Sequence, residues 1–395
     1  MTASPDAPAR RTRPRNRRAI TLDAATKLFY RDGYARVSMS DIAAATNVGP
    51  SAIYRHFPGK ADILAEAIRT GLAPYTRLLE NFRSTNAADP DELASVFTQL
   101  AECALDHREI GVLYQRDSRN LDHRLQRELR DDLRSTTGLL ASFIGAARPE
   151  LDSVQTDALA WCCFGVLVSI GFHSLTLPRA EFVALMVDLI ATVTFVPLSD
   201  IPDVVQPAAE IEPPSSRREQ LITVATELFA ERGFSAVGVD DIAEAVGIAG
   251  PSVYAHFPSK AAILAAAIDR AGQLLRVDTE RVLSTDAPAS VKLARLVDSY
   301  SAIANRDRYV PRTLISEMDV LPDADRGSAV RTQREYIDTW VELRRQFSPD
   351  SAVAARIRVQ AVLIVVNDAV QTPHLRALPG FEGLLRRIAD SLLGV

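Results

Sequence analysis

Residues 28–60 read LFYRDGYARVSMSDIAAATNVGPSAIYRHFPGK, and residues 228–260 read LFAERGFSAVGVDDIAEAVGIAGPSVYAHFPSK. The two stretches belong to a longer internal repeat, because residues 18–68 align without a gap on residues 218–268, with 22 of the 51 pairs identical. A gapless repeat of this length indicates one structural module that occurs twice in a single chain. What one copy builds therefore decides the fold of both.

Each copy carries the start and stop signals of short helices. In the first copy a helical pattern of apolar residues runs to Gly33, which offers the left-handed conformation that stops a helix. Ser38 and Asp41, three residues apart, then form a capping box that starts a second helix. In the second copy Gly238 stands in place of the capping serine.

The third helix of the first copy is predicted over residues 51–57, after a turn at 46–49 and with Pro50 opening it. A helix, a tight turn and a second helix that presents small and polar side chains is the geometry that enters the major groove of DNA. The pattern therefore predicts a helix-turn-helix DNA-binding domain over residues 18–68 and another over 217–268.

Three motifs shared by the copies, F-x-x-x-G-[YF], [DE]-I-A and Y-x-H-F-P-x-K, resemble the DNA-binding domain of the TetR family of bacterial repressors. The resemblance implies an all-α fold of two tandem TetR-like units. Each unit would be a helix-turn-helix domain followed by a helical ligand-binding and dimerisation bundle. A single chain with two such units resembles the tandem double-TetR regulators, including those that control mammalian-cell-entry operons.

The resemblance also implies which side chains contact DNA. In similar proteins the tyrosine and histidine of the third helix and the lysine after it hold phosphates, and residues near the start of that helix read bases. The phosphate set here is Tyr54, His56, Lys60, Tyr254, His256 and Lys260, and the base-reading set is Ser51, Ala52, Arg55, Pro251 and Ser252. Alternatively, the tyrosines are core residues, the histidines are structural and the lysines are ordinary first-turn residues.

The two lysines and Arg55 lead to two further predictions about DNA binding. A lysine in the first turn of a helix opposes the helix dipole, and a bound phosphate would remove that conflict at Lys60 and Lys260. Arg55 can donate two hydrogen bonds to guanine, whereas its counterpart Ala255 can at most touch a thymine methyl group. The sequence therefore predicts a pseudo-palindromic operator whose half-sites differ.

Composition divides the rest of the chain. Residues 1–17 are predicted to be a basic arm that contacts DNA, with a solvated tail as the alternative; its arginine run, which extends to Arg18, places six arginines in nine positions. Residues 197–216 contain five prolines and no basic residue, which indicates an extended linker. The trailing parts, 69–196 and 269–395, show amphipathic helical patterns and no alternating strand pattern, so the prediction is all-α.

The repeat fades in these trailing parts but continues, since Asp117 aligns with Glu317 and Leu121 with Leu321 at the same offset. The penultimate helices are apolar almost all round, which predicts that they are buried. The resemblance implies that terminal helices pair, here 151–196 with 350–395. The chain would then be an intramolecular pseudo-dimer, and further homo-oligomerisation is left open.

An effector pocket is predicted in the first bundle from aromatic and soft side chains, namely Tyr114, Trp161, Phe164, Phe172 and His173. Plain core packing is the alternative for such a stripe. A small apolar effector, such as a lipid, acyl or sterol derivative, suits this lining. Neither a cofactor nor a metal is expected, because the three cysteines match no metal-ligand or disulfide spacing.

Location and function follow from these patterns. The cysteine usage fits a reducing cytoplasm, and the apolar stretch 158–178 contains polar residues that favour a buried helix over a membrane span. No catalytic constellation is present, so an enzyme is not expected. The predicted function is a transcriptional repressor released from DNA by a small molecule. The alternative is a carrier of apolar ligands with vestigial DNA-binding heads, which would bind DNA without a steep salt dependence.

Overall fold

The computed structural model describes residues 17–82, 89–198 and 216–395, and every regular element within those ranges is helical. The predicted all-α fold is confirmed. Most of the predicted basic arm, up to residue 16, and the linker residues 199–215 lie outside the described ranges. We call residues 17–198 the first half and residues 216–395 the second half.

The first half contains nine α-helices in its described residues. They are α1 (Arg17–Asp32), α2 (Met39–Thr46), α3 (Pro50–Ile53), α4 (Lys60–Asn81), α5 (Pro90–Asp106), α6 (Glu109–Val112), α7 (His123–Ala147), α8 (Ser153–Ser169) and α9 (Arg179–Thr194). Short 3-10 turns occur at Tyr34–Arg36, Ser118–Asn120 and Ile170–Phe172. A π-helical turn, Leu113–Asp117, follows α6 directly.

The second half repeats this order. Its α-helices are α10 (Arg217–Arg232), α11 (Val239–Val246), α12 (Gly250–Val253), α13 (Lys260–Leu283), α14 (Ala289–Arg306), α15 (Tyr309–Glu317), α16 (Asp323–Arg345), α17 (Ala352–Gln371), α18 (Pro373–Arg376) and α19 (Phe381–Leu393). 3-10 turns occur at Phe234–Ala236 and Met318–Val320. Where the first half has α6 and a π-helical turn, the second half has the single helix α15.

The helix-turn-helix signals act largely as predicted. Ser38 caps α2, because its hydroxyl accepts from the Asp41 backbone N–H while the Asp41 carboxylate accepts from the Ser38 N–H. Gly238 has no side chain, so only the bond from its N–H to the Asp241 carboxylate remains, at 2.6 Å. The second copy therefore keeps half of the capping box.

Two local predictions need correction. Helix α1 ends at Asp32, directly before Gly33, and Gly33 has a positive φ of 81°, but its ψ of 146° is extended and not left-handed helical. Within the two heads, the residues with left-handed helical backbone are Asn47 and Gly247, which end α2 and α11. The third helix is shorter than predicted: only Pro50–Ile53 is α-helical and residues 54–56 form a turn. Phe57 precedes a proline, which disfavours helical backbone there.

Each copy encloses a small apolar core. In the first copy, which we call the first head (17–68), α1, α2 and the third helix bury Phe29, Ile42, Ile53 and Phe57. In the second head (217–268) the equivalent buried residues are Phe229, Ile242, Val253 and Phe257. The core of the first head is continuous with the bundle behind it, whereas the core of the second head forms a cluster of its own, joined by Leu321.

The two halves meet along their terminal helices. Helix α8 packs on α17 and α9 on α19, so the segments 151–196 and 350–395 are in contact, as predicted. The approach is close at Gly165, where an added Cβ would lie 3.4 Å from the Val365 Cα. The stretch Ser153–Phe172, long and apolar enough to cross a membrane, is 78% buried within the protein, as expected of a core helix.

Candidate nucleic-acid interface and interior cavity

The third helix of each head has a polar face that is exposed and an apolar face that is buried. Tyr54 is 54% exposed and Tyr254 is 58% exposed, although their neighbours Ile53 and Val253 are each 1% exposed. The alternative that the tyrosines are core residues is therefore wrong. Their hydroxyls are free to reach a phosphate, a contact for which tyrosine is well suited.

The other predicted contact residues of the two heads share this face. The exposed members are Ser51, Arg55, His56, Pro251, Ser252 and His256, and Ala52 is half-buried. The structure thus brings together, on the outer surface of each head, every predicted DNA-contacting residue except the two lysines. A row of tyrosine, histidine and arginine side chains on a short helix can donate hydrogen bonds to phosphates and base edges.

Lys60 and Lys260 are arranged differently from the prediction. The Lys60 ammonium donates to the backbone carbonyls of Tyr34 and Val37 at 2.8 and 2.9 Å, and the Lys260 ammonium donates to the carbonyls of Phe234 and Val237. Burial lowers the pKa of both lysines. Two internal carbonyls accept from each ammonium and offset the unfavourable helix dipole, so each lysine links its helix to the preceding loop. The phosphate contact of these lysines stays a prediction.

A second contact holds the start of each head. The Arg18 guanidinium lies 4.9 Å from the centre of the Phe57 ring, and the Arg218 guanidinium lies 4.7 Å from that of Phe257. Arg18 also forms an ion pair with Glu66 at 2.9 Å. Arg18 therefore packs against the head, as its place in the predicted domain 18–68 implies, although it also ends the arginine run of the basic arm. The sequence could have indicated this role, because Arg18 aligns with the identical Arg218 in the repeat.

Residues that join the heads to the bundles were not predicted. The Tyr34 backbone N–H donates to the Asp117 carboxylate at 3.3 Å, and the Phe234 N–H donates to the Glu317 carboxylate at 3.2 Å. Both carboxylates are buried. The alignment of Asp117 with Glu317 across the repeat was visible in the sequence, and it now has a physical reason: each acid accepts a bond from the same turn of its head.

Arginines from one short segment complete this junction. The Arg116 guanidinium donates to the carbonyl of Phe29 at 2.5 Å, at the end of α1. The Arg119 guanidinium donates to the carbonyl of Phe229 at 3.2 Å, at the end of α10 in the other half. Nothing in the repeat indicated these roles, because neither arginine has an arginine at its repeat position.

A cavity of about 690 Å³ lies between the two halves. Its wall combines residues of α4, α7 and α8 and of the 113–119 region with residues of α17 and α18. Of the predicted pocket residues, Tyr114, Trp161 and Phe164 line it. Three of the five predicted pocket residues thus line one cavity, and this cavity lies at the junction of the two halves.

Phe172 and His173 are not among the residues that line this cavity. The His173 ring stacks on Phe182 at 6.5 Å, and its Nδ1 accepts from the Leu175 backbone N–H at 3.3 Å. Burial, followed by the nearby Arg108 charge, lowers the pKa of His173 to about 4. The ring therefore stays neutral and acts as a packing residue, and the pocket assignment is wrong for both residues.

The cavity is more polar than its aromatic members suggested. Arg130 and Arg134, both exposed, border it together with Asp131. Gln115 and Asp368 face each other across the junction of the halves, and burial raises the pKa of Asp368 to about 8. An apolar floor with arginines at the rim suits a ligand that has an apolar body and an anionic group.

The cysteines of the described residues are packing residues. All three cysteines are buried and free, and burial raises the pKa of each thiol, which keeps them in the unreactive protonated form. Among the described residues no group of three or more histidines, cysteines and carboxylates is placed to hold a metal ion. The two outer faces and the cavity between the halves are where most of the predicted site residues lie.

Known proteins resemble this chain over each of its two heads. Residues 22–67 and 221–267 match the family described as bacterial regulatory proteins, tetR family. The HTH-type transcriptional activator FasR of Mycolicibacterium smegmatis is 31% identical over 159 residues, which cover 40% of this chain and 72% of FasR. The HTH-type transcriptional repressor KstR2 of the same organism is 29% identical over 157 residues, covering 39% of this chain and 76% of KstR2.

One solved structure is also similar to part of this chain. The TetR family transcriptional regulator PfmR of Thermus thermophilus is 21% identical, and the alignment covers 46% of this chain and 97% of PfmR with a TM-score of 0.40. These relatives each correspond to a little less than half of this chain.

Proposed function

Because this chain belongs to the tetR family of bacterial regulatory proteins, we propose that it is a repressor in which one polypeptide takes the place of a dimer. The chain is a DNA-binding transcriptional regulator and not an enzyme. In our proposal the two heads read the two halves of one pseudo-palindromic operator, the basic arm adds contacts to the flanking DNA, and the protein acts in the cytoplasm.

One observation carries this proposal: the two heads present matching outer faces while the bundles behind them pack on each other. The matching faces are centred on Tyr54 and Tyr254, both more than half exposed. The halves share one apolar core across α8 and α17. Symmetric readers of DNA place two recognition helices in successive major grooves, and here the packed terminal helices hold two such units together.

Release from DNA is proposed to follow binding of an effector in the cavity between the halves. Trp161 and Phe164 offer an apolar surface, and Arg130 and Arg134 offer positive charge at the exposed rim. We therefore refine the expected effector from a purely apolar compound to a lipid, acyl or sterol derivative that carries an anionic group. Such a ligand shifts the heads only through its different affinity for the bound and released arrangements.

The test is footprinting of the DNA upstream of the gene, combined with the mass of the complex. We expect two protected half-sites about one helical turn apart, or a small multiple of it, and one chain per site. Binding should weaken steeply with salt, since log K falls by about 0.9 per phosphate contact for each tenfold rise in salt. Tyr54→Ala and Tyr254→Ala should each remove protection at one half-site.

Other outcomes would change the proposal in defined ways. Two chains on each operator would replace the pseudo-dimer with a dimer of four heads. Weak binding to the upstream DNA with a flat salt dependence would instead favour a ligand carrier with vestigial heads. An anionic acyl compound that binds the protein but leaves the footprint intact would remove the effector part and leave the DNA-binding part standing.

A further inference from the structure

One segment of the first half touches the cavity and both heads. Residues 113–120, a π-helical turn followed by a 3-10 turn, are called the coupling segment below. Tyr114, Gln115, Ser118 and Arg119 from this segment line the cavity. π-Helical turns are rare and occur frequently at functional sites. The segment also contacts the heads through two arginines, Arg116 and Arg119.

The first of these arginines holds the first head. The Arg116 guanidinium donates to the Phe29 carbonyl at 2.5 Å and to the Tyr30 carbonyl at 3.3 Å. It also pairs with Asp117 at 2.9 Å, and Asp117 in turn accepts from the Tyr34 N–H. The last carbonyls of a helix lack partners within the helix, and a cation there is favoured by the helix dipole. Arg116 therefore caps the end of α1.

The second arginine crosses to the other half and holds the second head. The Arg119 guanidinium donates to the Phe229 carbonyl at 3.2 Å, near the end of α10, and pairs with Glu317 at 2.5 Å. The side chains of this pair are only 7% and 3% exposed. Glu317 also accepts from the Phe234 N–H, so the pair fixes two points of the second head. A buried charge pair of this kind is costly to break.

The second half has no arginine at either of the corresponding positions. At the repeat positions of Arg116 and Arg119 the sequence has Ser316 and Asp319. In a dimer of identical subunits each subunit would provide the same residues for its own head or for its partner's. In this chain the first half provides a capping arginine to each head.

We propose that the coupling segment links the cavity to both heads, with Arg119 as the positioning residue of the second head. This inference rests on the proposed function in that it takes the cavity as the effector site. An occupant that displaces Tyr114, Gln115 or Ser118 moves the backbone that carries both arginines. The ends of α1 and α10 then lose their caps together, although only the first half has changed.

Hydrogen exchange on the full chain tests the positioning roles without any ligand or DNA. Arg119→Met should raise amide exchange near the end of α10, over residues 226–236, about tenfold or more, because a lost charged hydrogen bond shifts local opening by at least that factor. Residues 26–36 of the first head should exchange as before. Arg116→Met should give the reverse pattern. Arg124→Met removes a charge from an exposed pair with Glu128 and should change neither head.

A second variant guards against general unfolding of Arg119→Met. The double variant Arg119→Met with Glu317→Gln removes the stranded carboxylate charge and keeps an oxygen that accepts from the Phe234 N–H. It should still raise exchange at residues 226–236. Wild-type exchange there in the double variant, or equal increases in both heads for either single variant, would overturn the assignment of Arg119.

The link to the cavity is tested with the fluorophore 8-anilinonaphthalene-1-sulfonate, which combines an apolar ring system with an anionic group. In the wild-type protein its binding should change exchange in the coupling segment and in both heads. In Arg119→Met the probe should change exchange only in the first head. Binding at the cavity with no change in either head would overturn the coupling. If the probe does not bind, the effector site loses support, while the exchange patterns of the variants still decide the arginine roles.

Discussion

The two heads have nearly the same interior, but different contacts hold each head on the bundles. Phe29 and Phe229 are both completely buried, and Lys60 and Lys260 each bind two carbonyls of the preceding loop. These features hold the helices of each head together. Both copies have kept them, so the identical residues of the repeat mark the requirements of the module and not of its surroundings.

The contacts between the heads and the bundles show where the two copies have diverged. The Tyr30 hydroxyl of the first head donates to the Gly171 carbonyl of its own bundle at 2.7 Å, whereas the counterpart in the second head is Ala230. The second head receives Arg119 from the other half instead. Two copies on one chain are free to differ at their junctions, because no symmetry requires one surface to serve both positions.

The largest expected effect tests whether the terminal helices of the two halves are equivalent. Asp368 on α17 lies one repeat after Val168 on α8, so only the second half places an acid there. Burial raises the pKa of Asp368 to about 8. Unfolded chains release this proton near pH 4, so between about pH 4 and 8 the free energy of unfolding falls as pH rises, by up to about 1.4 kcal/mol per unit.

Asp368→Asn should therefore stabilise the protein most near pH 8 and hardly at all near pH 4. Urea denaturation across this range measures the difference. Asp188→Asn is the matched control, because the Asp188 carboxylate, which pairs with Arg358 at the same junction, is 56% exposed and Arg358 keeps its second partner Asp350. If the free energy of unfolding of the wild-type protein and of Asp368→Asn changed with pH in parallel, Asp368 would not be buried in its protonated form. The terminal helices α8 and α17 would then be equivalent in this respect.

A somewhat smaller effect is expected at Gly165, where helices α8 and α17 of the two halves approach closely. A Cβ at Gly165 would lie 3.3 Å from the Val365 Cγ2, so Gly165→Leu should force α8 and α17 apart and destabilise the protein by about 1 to 3 kcal/mol. The halves should then unfold in two separate urea transitions. Gly138→Leu in α7, where nothing lies within 4 Å of an added Cβ, should be neutral or mildly stabilising. If Gly165→Leu and Gly138→Leu lowered the free energy of unfolding equally, α8 and α17 would not be tightly packed at Gly165.

The difference between the heads at position 55 concerns DNA and not stability. Arg55 is exposed on the first head, and Ala255 stands at its place on the second. Arg55→Ala should cost about 1 to 3 kcal/mol of binding and relax preference at one base pair of one half-site. Ala255→Arg should create a new preference in the other half-site. Titrations against operators changed at single base pairs measure both, and an equal loss on every operator would assign Arg55 to a phosphate.

Local patterns predicted the heads well because their signals lie within a few residues of each other. Ser38 and Asp41 form the predicted capping box, and Tyr54 and Tyr254 are exposed as expected. The errors are also local in origin. The length of the third helix depends on Pro58, and the bonding of Lys60 depends on a loop 23 to 26 residues earlier, which residue type alone does not reveal.

The cavity and the junctions were predicted less well because they depend on how the halves pack. Aromatic spacing identified Trp161 and Phe164 but also included His173, which packs on Phe182 away from the cavity. The contribution of Asp368 comes from the other half and has no local signal. Arg119 was hidden for the same reason, since its partners lie 110 and 198 positions further along the chain.

The smallest expected effect isolates the bond that only the first head makes. Tyr30→Phe removes the hydroxyl that donates to Gly171 and leaves the ring in place, so it should weaken docking of α1 by about 0.5 to 1.5 kcal/mol. Hydrogen exchange at residues 26–36 should rise accordingly, with residues 226–236 unchanged. Tyr54→Phe makes the same chemical change at an exposed site of the same head and should leave exchange unaltered while weakening DNA binding. If Tyr30→Phe also leaves exchange unaltered, Arg116 and the continuous core alone support the first head, and the two heads differ less in their docking than the hydroxyl suggests.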